Sequence, residues 1–448
     1  MSKWFPKTGY LLEGSNIETA SILFGRFLNN RSEHFPLPEK DLFTDGKFKW
    51  GVPPLEKVVT SADDLDFLTN NPRLYGNAIS IIEPWNHVGF HPDGSPVRAS
   101  KNVAYIAQKI ADCGSILFPI WQLGVRDIRK VIEVVSRSAL FVFEGGNASV
   151  DKPEEWVNKQ CSLDDMLILV ETLLQWRGQR SASGLFICIG HQLVAQCLIN
   201  ILKRVCGFVP LLDDLPNDSS GEILRGIKNT VDKIQEVGQS IQVKKRNGDI
   251  VANGWDDPNF AVSDMRESEV GSTFIYPYVS PVNSGLHRDI LNSQLLINEE
   301  LETILDQMMR LRYEASVNVA MFHSQEVTEV SMLFANWAYN KLYECLHPYR
   351  TVIATSPMAW LLKLPYAVKI IALTGSEEEV MTECASMCVA YKDHETKQIR
   401  RNFTIQFHPE LLGDLYSFGE RKAPSYSELQ RSDSVRLLVR LLYLGLQN

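Results

Sequence analysis

Four short apolar runs, separated by stretches of helical periodicity, constrain this chain more than any other feature. They lie at 78–82, 116–120, 139–143 and 184–188. Each is short and bounded by turn residues, as expected for a strand buried on both faces. Between the first two, Val103, Ile106, Ala107 and Ile110 fall on one helical face that Gly114 closes. Between the second and third, Ile128, Val131, Ile132 and Val135 fall in the same register. A strand–helix–strand–helix–strand order requires right-handed crossovers, and these give a parallel sheet. A helix over 164–176 precedes the fourth run and another over 191–205 follows it. Runs at 317–327, 352–356, 368–373 and 403–407 read as later strands. The expected fold is α/β: an open, mostly parallel sheet with helices on both faces.

The rest of the chain is organised around that unit. Residues 1–76 mix aromatic, proline and charged residues without a sustained period, and read as an N-terminal extension or cap. Residues 77–448 form the main domain, with a large insertion over about 211–316. Inside the insertion, Lys245-Arg246-Asn247-Gly248-Asp249 between two apolar stretches predicts a hairpin. Asn298 is placed to cap a helix carrying Leu301, Ile304, Leu305 and Met308. An apolar helix is expected at 435–444.

Composition limits the partners. Asp and Glu outnumber Lys and Arg by 54 to 45, a net charge of -9, which argues against nucleic acid or an anionic membrane surface. No stretch is apolar for long enough to span a bilayer. The first residues show neither a continuous apolar core nor a cleavage signature, so no signal peptide is expected. The 8 cysteines contain no Cys-x-x-Cys pair, and Cys384 and Cys388 are spaced as helix neighbours. A reducing cytoplasm without disulfides is the expectation, and no metal-ligand spacing is present.

Three segments carry chemistry. Cys188 ends the fourth run and is followed by Ile189, Gly190, His191 and Gln192 at the start of a helix. That is the layout of a nucleophile elbow, and a helix N-terminus favours a thiolate. A buried core cysteine is the ordinary alternative. His408-Pro409-Glu410 is the second segment. Pro409 biases His408 toward extended backbone, so Glu410 is able to orient the imidazole while its other nitrogen faces a nucleophile. A surface histidine near a turn is the commoner case. Gly145-Gly146 at the end of the third run lets backbone N–H groups point at an oxyanion. Alone, it is an ordinary turn.

Taken together, the Gly-Gly pair, Cys-Ile-Gly-His-Gln and Gln406-Phe407-His408-Pro409-Glu410 resemble the motifs of the class I (triad-type) glutamine amidotransferases. Phe322-His323-Ser324-Gln325-Glu326-Val327 resembles that family's substrate loop. The resemblance covers 78 to about 445 and implies a flavodoxin-like sheet. It makes Cys188 the nucleophile, His408 the base and Glu410 its orienter. It implies an oxyanion hole from the backbone N–H groups of Gly146 and Ile189. Glutamine would be held by Gly145, Gln192, His323, Ser324 and Gln325. Two departures stand out: Phe186 replaces a glycine, and Asn147-Ala148 replace Pro-Gly.

The implied activity is glutamine amide hydrolysis through a glutamyl thioester, releasing ammonia for transfer to an acceptor. Hydrolysis needs no cofactor; the sequence leaves ATP use open. No nucleotide-binding synthetase motif is found, which points to a separate synthetase or acceptor-site partner, or to an acceptor site built from the 1–76 arm and the 211–316 insertion. Two other readings use the same residues. One is a γ-glutamyl hydrolase or peptidase on the same fold. The other is a binding or regulatory protein with a degenerate site.

Overall fold

The computed structural model describes residues 43–44, 47–48, 58–59, 79–83, 89–90, 96–97, 120–124, 128–136, 140–145, 148–157, 162–175, 183–208, 221–244, 249–277, 317–374, 383–392 and 399–409, apart from 245–248. Ten strands form one sheet. In chain order the first five are β1 (Val58–Val59), β2 (Ile79–Glu83), β3 (Ile120–Gly124), β4 (Leu140–Phe143) and β5 (Ser183–Ile187). A separate hairpin of β6 (Gln242–Lys244) and β7 (Ile250–Asn253) follows. The remaining five are β8 (Val262–Pro277), β9 (Val317–Val327), β10 (Ala367–Thr374), β11 (Cys384–Lys392) and β12 (Ile399–Ile405). Across the sheet the order is β9-β8-β10-β11-β12-β5-β4-β2-β3-β1.

The fold is broadly α/β, but its sheet is mixed. Pairings from β12 through β5, β4, β2 and β3 to β1 are parallel. Those linking β9, β8, β10, β11 and β12 are antiparallel. The expectation of a mostly parallel sheet therefore holds for one half only. The reason lies in the connections. A parallel pair needs a crossover of a dozen or more residues. The links from Thr374 to Cys384 and from Lys392 to Ile399 are too short to contain a helix crossover, so these strands turn back on themselves.

The segment 211–316 contributes more than loop. It holds α5 (Gly221–Ser240), the β6–β7 hairpin, and β8, which lies between β9 and β10 inside the main sheet. Among the described residues the other α-helices are α1 (Ile128–Ser136), α2 (Pro153–Val157), α3 (Leu163–Gln175), α4 (Ile189–Phe208), α6 (Glu329–Leu346) and α7 (Arg350–Ala354). α4 is buried on nearly every side, with Leu193, Val194, Leu198, Leu202 and Val205 fully enclosed. A helix apolar over most of its surface packs inside the protein, and its last turns, around Arg204, reach solvent. α4 packs on α3, α5 and α6 and on the sheet through β5, β8, β9 and β12. Each such side chain contributes about 1.5–3 kcal/mol of transfer free energy. The Tyr339 hydroxyl on α6 donates to the Leu198 carbonyl at 2.7 Å, which satisfies a polar group that the packing encloses.

Several sequence expectations need correction. The run 352–356 is not a strand: Arg350–Ala354 is helical, with Ile353 buried and Val352 52% exposed. Pro348 opens the preceding turn and Pro357 follows, which are helix start and stop signals. Cys384 and Cys388 are not on a helix. Both lie on β11, where i and i+4 also share a face. The second strand begins at Ile120, where the apolar run 116–120 ends. The last runs from Ile399 to Ile405, so Gln406 and Phe407 already lie beyond it. The expected helices over 103–110, 298–308 and 435–444, and most of the 1–76 extension, lie outside the described residues. Among the described residues all six cysteines are free thiols, and no helix is long and apolar enough to cross a membrane.

Candidate active site

Cys188 occupies the turn between β5 and α4. Its φ is +51°, and no other described non-glycine residue has a positive φ. An L-residue in the left-handed region costs roughly 1–2 kcal/mol. Such strain persists only where the surroundings fix it. Two backbone bonds do so here. The Cys188 N–H donates to the Ile405 carbonyl at 2.7 Å, and the Cys188 carbonyl accepts from the Gln192 N–H at 3.1 Å. The second is the opening bond of α4. The thiol thus sits at the positive end of a twenty-residue helix, and Ile189, in the first turn, has no carbonyl of that helix to bond.

Close packing beneath the turn explains why Phe186 is tolerated. Its ring is fully buried, stacked on Phe143 at 5.7 Å and edge-on to Phe141 at 5.4 Å. The room comes from two glycines. A Cβ on Gly184 would overlap the Phe141 ring, and one on Gly190 would lie 2.9 Å from Phe143 Cδ1 and 3.2 Å from Phe186 Cβ. The three rings of Phe141, Phe143 and Phe186 thus fill the space beneath the turn.

Gly145 lies between Cys188 and His408. A Cβ built on Gly145 would lie 2.7 Å from His408 Cε1 and 3.2 Å from Cys188 Cβ. A single missing methyl group is all that lies between the imidazole, the end of β4 and the thiol-bearing residue. His408 is partly exposed, and Cys188 is 3% exposed. The three come together because β4, β5 and β12 are consecutive parallel neighbours whose carboxyl ends point the same way.

Three glutamines line the same end of the sheet. Gln406 Nε2 donates to Cys188 Sγ at 3.8 Å. Gln192 Nε2 donates to the Gln325 carbonyl at 3.1 Å and to Gln406 Oε1 at 3.4 Å. Gln325 Oε1 accepts from the Val150 N–H at 2.8 Å, and its Nε2 bonds Asp151. The loop after Gly145 is thereby tied to β9. It is also tied to itself: Trp156 Nε1 donates to the Ser149 carbonyl at 2.8 Å, and Glu155 accepts from the Ser149 N–H at 3.0 Å.

Two buried histidines border the site. His323 Nδ1 lies 2.8 Å from the Gln325 carbonyl, which can only accept, so Nδ1 carries the proton. His323 Nε2 faces Glu383 Oε1 at 3.4 Å, and Thr374 donates to the other carboxylate oxygen at 2.6 Å. Burial pushes the His323 pKa down to about 4; the Gln325 hydrogen bond opposes this, and the charge of nearby His408 adds to it. His191 bonds Thr404 Oγ1 at 2.6 Å and the Cys384 carbonyl at 2.8 Å. Its pKa is lowered to about 3, again first by burial. His191 thus acts as a neutral latch between α4 and the strands β11 and β12.

Of the residues singled out from the sequence, Cys188, Gly145, His408, Gln192, His323 and Gln325 converge on one end of the sheet. Ile189 opens α4, and Ser324 lies on β9 between His323 and Gln325. Gly146 and Glu410 lie outside the described residues. Sequence reasoning missed Gln406, Glu383, Asp151 and Trp156. Gln406 stood within a recognised motif, whereas nothing in the sequence marked the other three. In comparisons with known proteins, no family model and no curated protein matches this chain.

Proposed function

We propose that the chain is a cysteine-dependent glutaminase of the class I amidotransferase type, on a flavodoxin-like parallel half-sheet. The observation that carries this reading is the left-handed Cys188 turn at a helix N-terminus, with the His408 ring across Gly145. Strain at a single non-glycine residue, between a strand and a helix, is the signature of a nucleophile held out from a sheet.

In this reading Cys188 Sγ adds to the side-chain amide carbon of glutamine. His408 takes the thiol proton and passes it to the departing nitrogen, so ammonia leaves and a glutamyl thioester remains. Water, deprotonated by the same imidazole, then releases glutamate and restores the thiol. The N–H groups of Ile189 and of the glycine loop receive the developing oxyanion. Glu410 orients His408. The ammonia goes to an acceptor site, on a partner or built from the 1–76 arm and the 211–316 insertion.

The test is ammonia and glutamate release from glutamine, run beside cleavage of γ-glutamyl peptides, with Cys188→Ala as the control. Glutamine turnover abolished in the variant supports the proposal. Turnover confined to γ-glutamyl peptides reassigns the site to a γ-glutamyl hydrolase. No turnover of either substrate leaves a binding or regulatory protein.

A further inference from the structure

The orientation of the glutamine amides at the nucleophile is fixed by one acceptor that cannot flip. The main-chain carbonyl of Gln325 accepts hydrogen bonds only, so the Gln192 atom 3.1 Å from it is the NH2 group. That same NH2 lies 3.4 Å from the Gln406 side chain, which must present its oxygen there. The Gln406 NH2 is then left facing the Cys188 sulfur at 3.8 Å. Turning Gln406 over would set donor against donor at Gln192 and a carbonyl oxygen against the sulfur. Little freedom remains for such a flip. Gln406 is fully buried, Gln192 and Gln325 are 3% and 2% exposed, and the Gln406 N–H is anchored to the Ala385 carbonyl at 2.8 Å.

We propose that Gln406 is a positioning residue for the nucleophile, presenting an amide N–H to Cys188 Sγ, and that Gln192 and the Gln325 carbonyl lock it in that orientation. An N–H donor stabilises a thiolate more than a thiol, because a hydrogen bond to a charged acceptor is about twice as strong. In a buried site the donor cannot be replaced by water at no cost. The donor also restricts the direction of the sulfur lone pairs, and so the line of attack on a carbonyl carbon. His408 is the neighbouring titratable group across Gly145, and His323 lies beyond it on β9. The inference rests on the reading of Cys188 as a nucleophile, but it concerns the thiol itself and not the substrate.

The test is alkylation of Cys188 by iodoacetamide as a function of pH, followed by mass spectrometry of the Cys188 peptide. It compares the full chain with its Gln406→Met, Gln406→Glu and Gln192→Met variants. In Gln406→Met the rate at pH ~6.5 is expected to fall roughly threefold to tenfold while the plateau at high pH is retained. Gln406→Glu falls further, since a carboxylate faces the sulfur. Gln192→Met, which only releases the lock, falls less. Profiles that overlay the parent overturn the inference. So does an equal drop at every pH, which reports altered access. If Gln406→Met fails to fold, Gln192→Met decides alone by the same criterion. Glutamine turnover is measured separately. A shifted alkylation profile in a chain that releases no ammonia sustains the inference and removes the glutaminase reading. An unshifted profile in an active chain does the reverse.

Discussion

The backbone N–H of Cys188 donates to the carbonyl of Ile405 at 2.7 Å, which ties the end of β5 to the end of β12. Because Ile187 pairs in parallel with Ile405, both strands finish at the same level. The chain after each then enters the same space: one becomes the thiol-bearing turn, the other leads through Gln406 to His408. A thiol and an imidazole more than two hundred residues apart in sequence are placed by one parallel pairing. The relationship also says which substitutions disturb the site and which disturb only the scaffold.

The left-handed backbone at Cys188 gives an inverted preference between two small residues. Cys188→Gly is expected to be more stable than Cys188→Ala by about 1 kcal/mol. In an ordinary helical position alanine is favoured by a similar amount. Urea midpoints of the two variants check the sign. Equal midpoints, or a more stable alanine variant, would show that the turn relaxes out of the left-handed region.

Gly145→Ala places a methyl group 2.7 Å from His408 Cε1. The imidazole is the group that yields, since it is partly exposed whereas Cys188 is backed by β5. Glutamine turnover is expected to fall about 100-fold from misplacement of the base, with a small change in melting temperature. A variant with unaltered kcat would remove His408 from the reaction.

Acid stability follows from the buried histidines. His323 and His191 have folded-state pKa values near 4 and 3, against an ordinary 6.5. Below pH 6.5 the unfolded chain takes up protons that the folded chain refuses. Each histidine therefore lowers stability by about 1.4 kcal/mol per pH unit as pH falls toward its folded value. The loss ends near pH 4 for His323 and near pH 3 for His191. Denaturation between pH 6.5 and 4 should show a shallower slope in His323→Gln than in the parent chain. An unchanged slope would mean that His323 is charged in the fold.

Phe186 offers a test of local repacking. Phe186→Ala is expected to cost about 3–5 kcal/mol, as for other buried aromatic residues. The cavity would open beside Phe141 and Phe143, under the nucleophile turn. A thermal shift near zero would mean that the neighbouring rings collapse into the space.

Much of the parallel half was legible in the sequence. Apolar runs without alternation mark strands covered on both faces, and 78–82, 139–143 and 184–188 became β2, β4 and β5 with only small changes of boundary. The strand-to-helix step at Cys188 was legible because an unbroken apolar run ends there and a helical stretch follows. The run 352–356 misled because a short apolar stretch does not distinguish a strand from a turn of helix, and its flanking prolines went unweighed. Glu383 and Trp156 left no trace. Their partners, His323 and Ser149, are set by chain folding and not by any local pattern.

By itself the sequence marked the short apolar runs of the parallel half, the strand-to-helix step at Cys188, and Cys188 and His408 as candidate site residues. These are local properties, written in the spacing of apolar residues and in short motifs. Only the tertiary structure decided that β8 enters the sheet between β9 and β10, that half the sheet runs antiparallel, and that a glutamine amide faces the sulfur. Strand order and amide orientation depend on hydrogen bonds between residues far apart in the chain, and such bonds have no signature along it.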